Sequence, residues 1–134
     1  MKINVMSPPE LGSPFAPYSQ IAEVPAGRIV FIAGQVASDR DGNTVGADDF
    51  DAQCKQVFAN IKIALDAAGL SWENVAQFTS YLISEDDIEA FKQYRDRAFP
   101  HMFAEGRYPT NTLLIVKRLV KSTFRLEVQA TAAG

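Results

Sequence analysis

The chain of 134 residues holds one cysteine, one histidine and one tryptophan. A lone Cys54 excludes an internal disulfide, and its place on an apolar helical stripe marks a packing group rather than a nucleophile. His101 stands far from Cys54 in the sequence, so neither a zinc site nor a Cys–His pair is expected, and no metal is assigned. No apolar run approaches the ~18 residues of a membrane span. The segment MKINVMSPPELGSP lacks a basic-then-apolar leader pattern. No membrane association and a cytoplasmic location are the resulting expectations. Basic charge is not in excess either: 13 Lys and Arg stand against 16 Asp and Glu, a net charge of −3. That argues against a nucleic-acid platform. No phosphate-binding glycine loop and no Ser-His-Asp order is visible.

What is present is an ordinary globular composition, 47% hydrophobic and 22% charged, long enough for one domain over 1–134 with a real core. Its organising stretch is Asp49–Gly69. Phe50, Cys54, Val57, Phe58, Ile61, Leu65 and Ala68 recur at spacings of four, three, one, three, four and three, one stripe of an α-helix. Asp48 or Asp49 can cap its first turn, and Gly69 can end it in a left-handed conformation.

Around this helix the chain reads as β-β-α-β-α-β-β. Residues 1–17, with four prolines, form an irregular or extended arm. Tyr18–Val24 is a strand ended by Pro25-Ala26-Gly27, and Arg28–Ala33 a second, closed by Gly34-Gln35. Val75–Ser84 is a third, joined to the second through the long helix as a βαβ unit. Asp86–Phe103 is a helix presenting Ile88, Phe91, Tyr94, Ala98 and Met102, with Pro100 placed to end it early. Thr112–Leu119 and Phe124–Thr131 are strands. Two helices can cover one face of one mixed sheet. The other face also takes apolar side chains, from 28–33 and 112–118, and such a face marks an interface. A homo-oligomer is therefore expected.

Few polar residues remain for chemistry. Glu127 lies on the polar face of the last strand, either solvated and paired with Arg125 or a neighbouring strand, or placed at a cleft to position water. Tyr18, in PYSQ, is a core ring or lines a pocket. Arg107 and Arg95 are solvated cations or meet an anionic ligand.

The motifs APYSQ (16–20), FIAGQV (31–36), QCKQVFANIKIALDAAGLSWENV (53–75), Pro-Thr-Asn (109–111) and LEVQATA (126–132) together resemble the RidA/YjgF family, in order and over nearly the whole chain. The resemblance implies an α+β, chorismate-mutase-like fold: a mixed sheet with two helices on one face. Three subunits pack their sheets into a central barrel, with ligand clefts between neighbours. It implies a hydrolase of 2-imino acids and their enamine tautomers, such as a 2-iminobutanoate/2-iminopropanoate deaminase, using no cofactor and acting on a small carboxylated ligand. Carried over by position, Glu127 places the attacking water, while Tyr18 and the strand end Ala33-Gly34 line the pocket. The position of the carboxylate-binding arginine is occupied by Asn111. Asn donates hydrogen bonds but has no charge and no guanidinium fork. Either the pocket takes a different ligand or another cation, such as Arg107, replaces the missing one. The alternative to an enzyme is a ligand-binding or regulatory trimer.

Overall fold

A computed structural model describes residues 3–25 and 27–134. Met1 and Lys2, at the head of the expected arm, and Ala26, in the expected Pro25–Gly27 turn, lie outside the described residues.

The long helix, α1, spans Phe50–Ala67. Asp49 caps it by accepting the Ala52 N–H at 3.1 Å. Beyond its end Gly69 adopts φ 73°, and Leu70 N donates back to Leu65 O at 2.8 Å, a left-handed termination that only glycine adopts without strain. Its buried face is the stripe read from the sequence: Phe50, Cys54, Val57, Phe58, Ile61 and Leu65, joined by Gln53.

The helix lies on a four-stranded sheet made of β3 (Ile29–Val36), β4 (Val75–Leu82), β5 (Thr110–Ile115) and β6 (Leu126–Ala133), with spatial order β3-β6-β4-β5. β6 is antiparallel to both of its neighbours, and β4 is parallel to β5. The strands joined through α1 thus run the same way but are separated by β6, so the expected βαβ unit is split by the last strand of the chain. The second helix, α2 (Ile88–Met102), makes the crossover between the adjacent parallel pair β4 and β5.

One face of the sheet carries Ile32, Phe78, Leu82, Leu126, Val128 and Ala130, all buried beneath the helices. Phe58 of α1 meets Phe78 at 5.7 Å and Phe99 of α2 at 5.5 Å, both edge-to-face, an arrangement that aromatic quadrupoles favour. The opposite face is open in the single chain. Phe31 is 79% exposed and Ile29 55%, as the apolar residues on both sides of this strand foretell.

Several boundaries differ from the sequence reading. The arm contains a strand, β1 (Asn4–Met6), paired antiparallel with β2, which is shortened to Ile21–Glu23. β3 runs through Gly34-Gln35 instead of stopping there, by means of a bulge. β5 begins two residues earlier and ends at Ile115, while β6 is displaced towards the C-terminus. Pro100 does not end α2; it stands within the final turn, where little of the hydrogen-bond ladder remains to lose. The buried face of α2 is Phe91, Arg95 and Phe99, and Ile88 is exposed. An arginine within that row broke the apolar pattern that periodicity relies on.

Candidate functional site

The bulge in β3 positions the first group of residues. Ile32 pairs with Ala130 and Gln35 with Val128, so Ala33 and Gly34 together face the single residue Gln129. An extra residue bends the strand and re-aims its backbone. Beside it, Glu127 of β6 pairs with Val36 on one side and Tyr81 of β4 on the other. Its side chain folds over Gly34: a Cβ there would stand 2.0 Å from Oε2. The glycine is required by space, because this carboxylate covers the position. Ala33, Gly34 and Glu127 are therefore brought together.

Glu127 is half-buried, and among the described residues its carboxylate has neither a salt bridge nor a side-chain hydrogen bond. The pairing with Arg125 that the sequence allowed does not form. Arg125 instead grips Asp87 through two bonds, Nη2 to Oδ1 at 2.6 Å and Nε to Oδ2 at 3.2 Å. A carboxylate with open lone pairs is free to accept a proton or to hold water.

The second group gathers at the start of β5. Ser19 N donates to Pro109 O at 3.1 Å, and the Ser19 hydroxyl donates to Tyr108 O at 2.5 Å. These bonds fasten the arm, with half-buried Tyr18, to the residues just before Asn111. Asn111 pairs with Phe78 and so shares its helix-covered face. There it accepts the hydroxyl of buried Ser80 on Oδ1 at 2.7 Å, which leaves the amide hydrogens as donors.

The two groups do not meet within one chain. Phe78 and Tyr81 point to opposite faces of β4, so Asn111 and Glu127 lie on opposite faces too, two strands apart. Arg107 does not join Glu127. It lines a cavity of about 300 Å3 with Ile3, Val5, Glu73 and Val75, and its nearest carboxylate is Glu105 at 3.9 Å. Val75 lies six residues, or roughly 20 Å, along β4 from Tyr81, the neighbour of Glu127.

Sequence reasoning gave little weight to Arg95, which is 3% exposed with its guanidinium 4.1 Å above the Phe91 ring. Burial pushes its pKa down to about 10, so it stays charged at neutral pH. The signal was available in the four-residue spacing of Phe91, Arg95 and Phe99. Cys54 is fully buried, and burial pushes its thiol up to about 12, in keeping with a packing role.

The family described as Endoribonuclease L-PSP matches residues 10–134. A RutC family protein of Pyrococcus horikoshii is 34% identical, aligned over 89% of this chain and 88% of that one. The chain belongs to the RidA/YjgF family. Its fold matches that of the Rid family protein YyfB from Yersinia pestis with a TM-score of 0.85, at 30% identity over 99% of both chains. Escherichia coli TdcF, solved with bound serine, matches with a TM-score of 0.71 at 25% identity, over 98% of each chain. The α+β RidA/YjgF fold expected from the motifs is thus the fold observed, with two helices packed on a mixed sheet.

Proposed function

We propose that this RidA/YjgF protein hydrolyses small 2-imino acids or related C–N substrates, without a cofactor, at clefts formed between the subunits of a homotrimer. The observation that carries the reading is the unpaired Glu127 carboxylate laid over the bulged backbone of Ala33-Gly34. In the proposed reaction a water held by Glu127 attacks the imine carbon. The carboxylate takes a proton from that water and passes it to the nitrogen, giving a carbinolamine. The remaining hydroxyl proton then follows the same route to the nitrogen as the C–N bond breaks, so the nitrogen leaves as ammonia and the oxygen stays as the keto carbonyl. The product is a 2-keto acid. Glu127 acts as the catalytic group, Ala33 and Gly34 supply backbone lining, and Tyr18 and Asn111 bind substrate.

Two features support a shared cleft. The Ala33–Gly34–Glu127 group and the Tyr18–Asn111 group occupy different faces of one chain, so a second copy is needed to bring them together. The open sheet face, with Phe31 and Ile29, offers apolar surface for that copy to cover. The serine bound to TdcF is itself a small carboxylate, which favours a ligand of that class.

The test is ammonia release from 2-iminopropionate or 2-iminobutyrate, generated in situ by an amino-acid oxidase. Glu127→Gln should keep assembly and melting temperature and lower turnover more than tenfold, within the ~10²–10⁴ range of general acid–base contributions. Unchanged turnover would demote Glu127 to a structural residue. A second reading, a ligand-binding or regulatory trimer, is favoured by Asn111, an uncharged side chain where the family resemblance places an arginine. It predicts binding of 2-keto acids without ammonia release. A ribonuclease role, named in the family description, sits poorly with the net charge of −3.

A further inference from the structure

Arg95 is the most buried charged side chain among the described residues. Such a cation is strongly destabilising unless a counter-charge or hydrogen bonds answer it. Here no carboxylate of the described residues lies within ion-pair distance. The protein offers the Phe91 ring at 4.1 Å and the Phe91 carbonyl, 3.4 Å from Nε. The two terminal nitrogens find no acceptor. They are not sealed off either, because no fully buried side-chain nitrogen or oxygen of the described residues lacks a partner. The terminal nitrogens therefore keep a small accessible area, within the 3% exposure of the whole residue. Arg125 makes the contrast: its side chain is 31% exposed, yet it holds a carboxylate through two bonds.

Position gives the unpaired fork a meaning. On α2, Arg95 lies one turn from Phe99, whose ring is 6.0 Å from Phe78 and 6.1 Å from Tyr108. Phe78 is the strand partner of Asn111, and Tyr108 accepts the Ser19 hydroxyl that fastens the arm carrying Tyr18. Through Phe99, Arg95 is thus connected to the start of the edge strand β5, where Asn111 lies and where the arm carrying Tyr18 is fastened.

We propose that Arg95, rather than Arg107, is the cation that pairs with the ligand's carboxylate. It does from α2 what Asn111 cannot do from β5. This assignment rests on the reading above that the cleft takes a small carboxylate. A guanidinium fork meets a carboxylate through two parallel N–H···O bonds, and the free Asn111 amide can add a third donor.

The experiment measures binding of 2-oxobutyrate to the assembled protein by calorimetry. Arg95→Met keeps the apolar stem and removes the charge. It should weaken binding at least about tenfold, the loss of one charge-assisted hydrogen bond or more. Arg95→Lys should restore part of the loss. Arg97→Ala, which removes another arginine of the same helix, should bind as wild type does. If Arg95→Met fails to fold, labelling of the wild type with phenylglyoxal replaces it: 2-oxobutyrate should protect Arg95, as read by peptide mass. Equal binding by Arg95→Met and wild type, absent protection, no binding by the wild type at millimolar 2-oxobutyrate, or a loss confined to Arg107→Ala each overturns the assignment. Binding through Arg95 without ammonia release from imines upholds it and removes the hydrolase reading.

Discussion

The Glu127 carboxylate fills the space that a side chain on residue 34 would need, with Oε2 2.0 Å and Cδ 2.7 Å from where a Cβ would stand. Gly34→Ala therefore forces the carboxylate aside. The group that must yield is the far end of a flexible, half-exposed side chain, so the fold is only slightly affected. The chemistry should not be, since misplacing a catalytic group by about 1 Å can cost on the order of 10²-fold. Gly34→Ala is expected to melt within a few degrees of wild type and to release ammonia from 2-iminobutyrate at least about tenfold more slowly. Full turnover would show that the carboxylate need not lie over residue 34.

Phe31 tests the assembly. It is 79% exposed in the single chain, on the sheet face opposite the helices. Placing a charge there should prevent that face from being covered, since a carboxylate buried without a partner is strongly disfavoured. Light scattering at micromolar concentration should show a trimer for wild type and a monomer for Phe31→Asp. Circular dichroism should show the same secondary structure in both. Hydrolysis should vanish in the monomer, because its two half-sites no longer meet. An active monomer would sink the shared cleft.

Much of this fold was legible where one period dominated. α1 was readable because its stripe, its Asp49 cap and its Gly69 stop all agree, and the two-sided apolar character of β3 disclosed the exposed apolar face that carries Ile29 and Phe31. β1 was not legible: three residues with no alternation carry no period, and the strand exists because Ile21–Glu23 pairs with it. The bulge was hidden for a related reason. Gly34 looked like a strand terminator, whereas it is a glycine because Glu127 lies over it, a contact between residues 93 positions apart. Arg95 was obscured because its charge argued for solvent while its spacing argued for burial. The Arg125–Asp87 pair, too, joins the start of β6 to the start of α2, and nothing local announces it.

Gln53 measures how much one buried amide can hold. Its side chain is sealed within the core. Nε2 donates to Gly46 O at 3.1 Å and Thr123 O at 2.8 Å, while Oε1 accepts from Arg125 N at 2.9 Å. It ties the loop before α1 to the turn that leads into β6. Gln53→Leu preserves volume but leaves those backbone groups without their partner, at about 1–3 kcal/mol for each one that water cannot reach. A loss of at least about 2 kcal/mol by urea unfolding is expected. A smaller loss would mean that water enters and replaces the amide.

The final prediction concerns pH and Cys54. The thiol is fully buried, and burial, with lesser contributions from Asp51 and Asp87, raises its pKa from 9.0 to about 12. In the unfolded chain it ionises near the ordinary value. Between those two values the folded state binds more protons than the unfolded state, so stability falls as pH rises. The limiting slope is about 1.4 kcal/mol per pH unit for one such group. Tyr94, which burial raises from 10.0 to about 12, adds the same sign only above its own unfolded value. Arg95, which burial lowers from 12.5 to about 10, acts in the opposite direction from the top of this interval upward, so the interval from pH 9 to 10 belongs mainly to the cysteine. Urea midpoints measured across it should decline for wild type. Cys54→Ala will start lower, because it leaves a small cavity beneath α1, yet its midpoint should decline less over the same interval. Parallel declines in the two proteins would show that another group carries the alkaline loss.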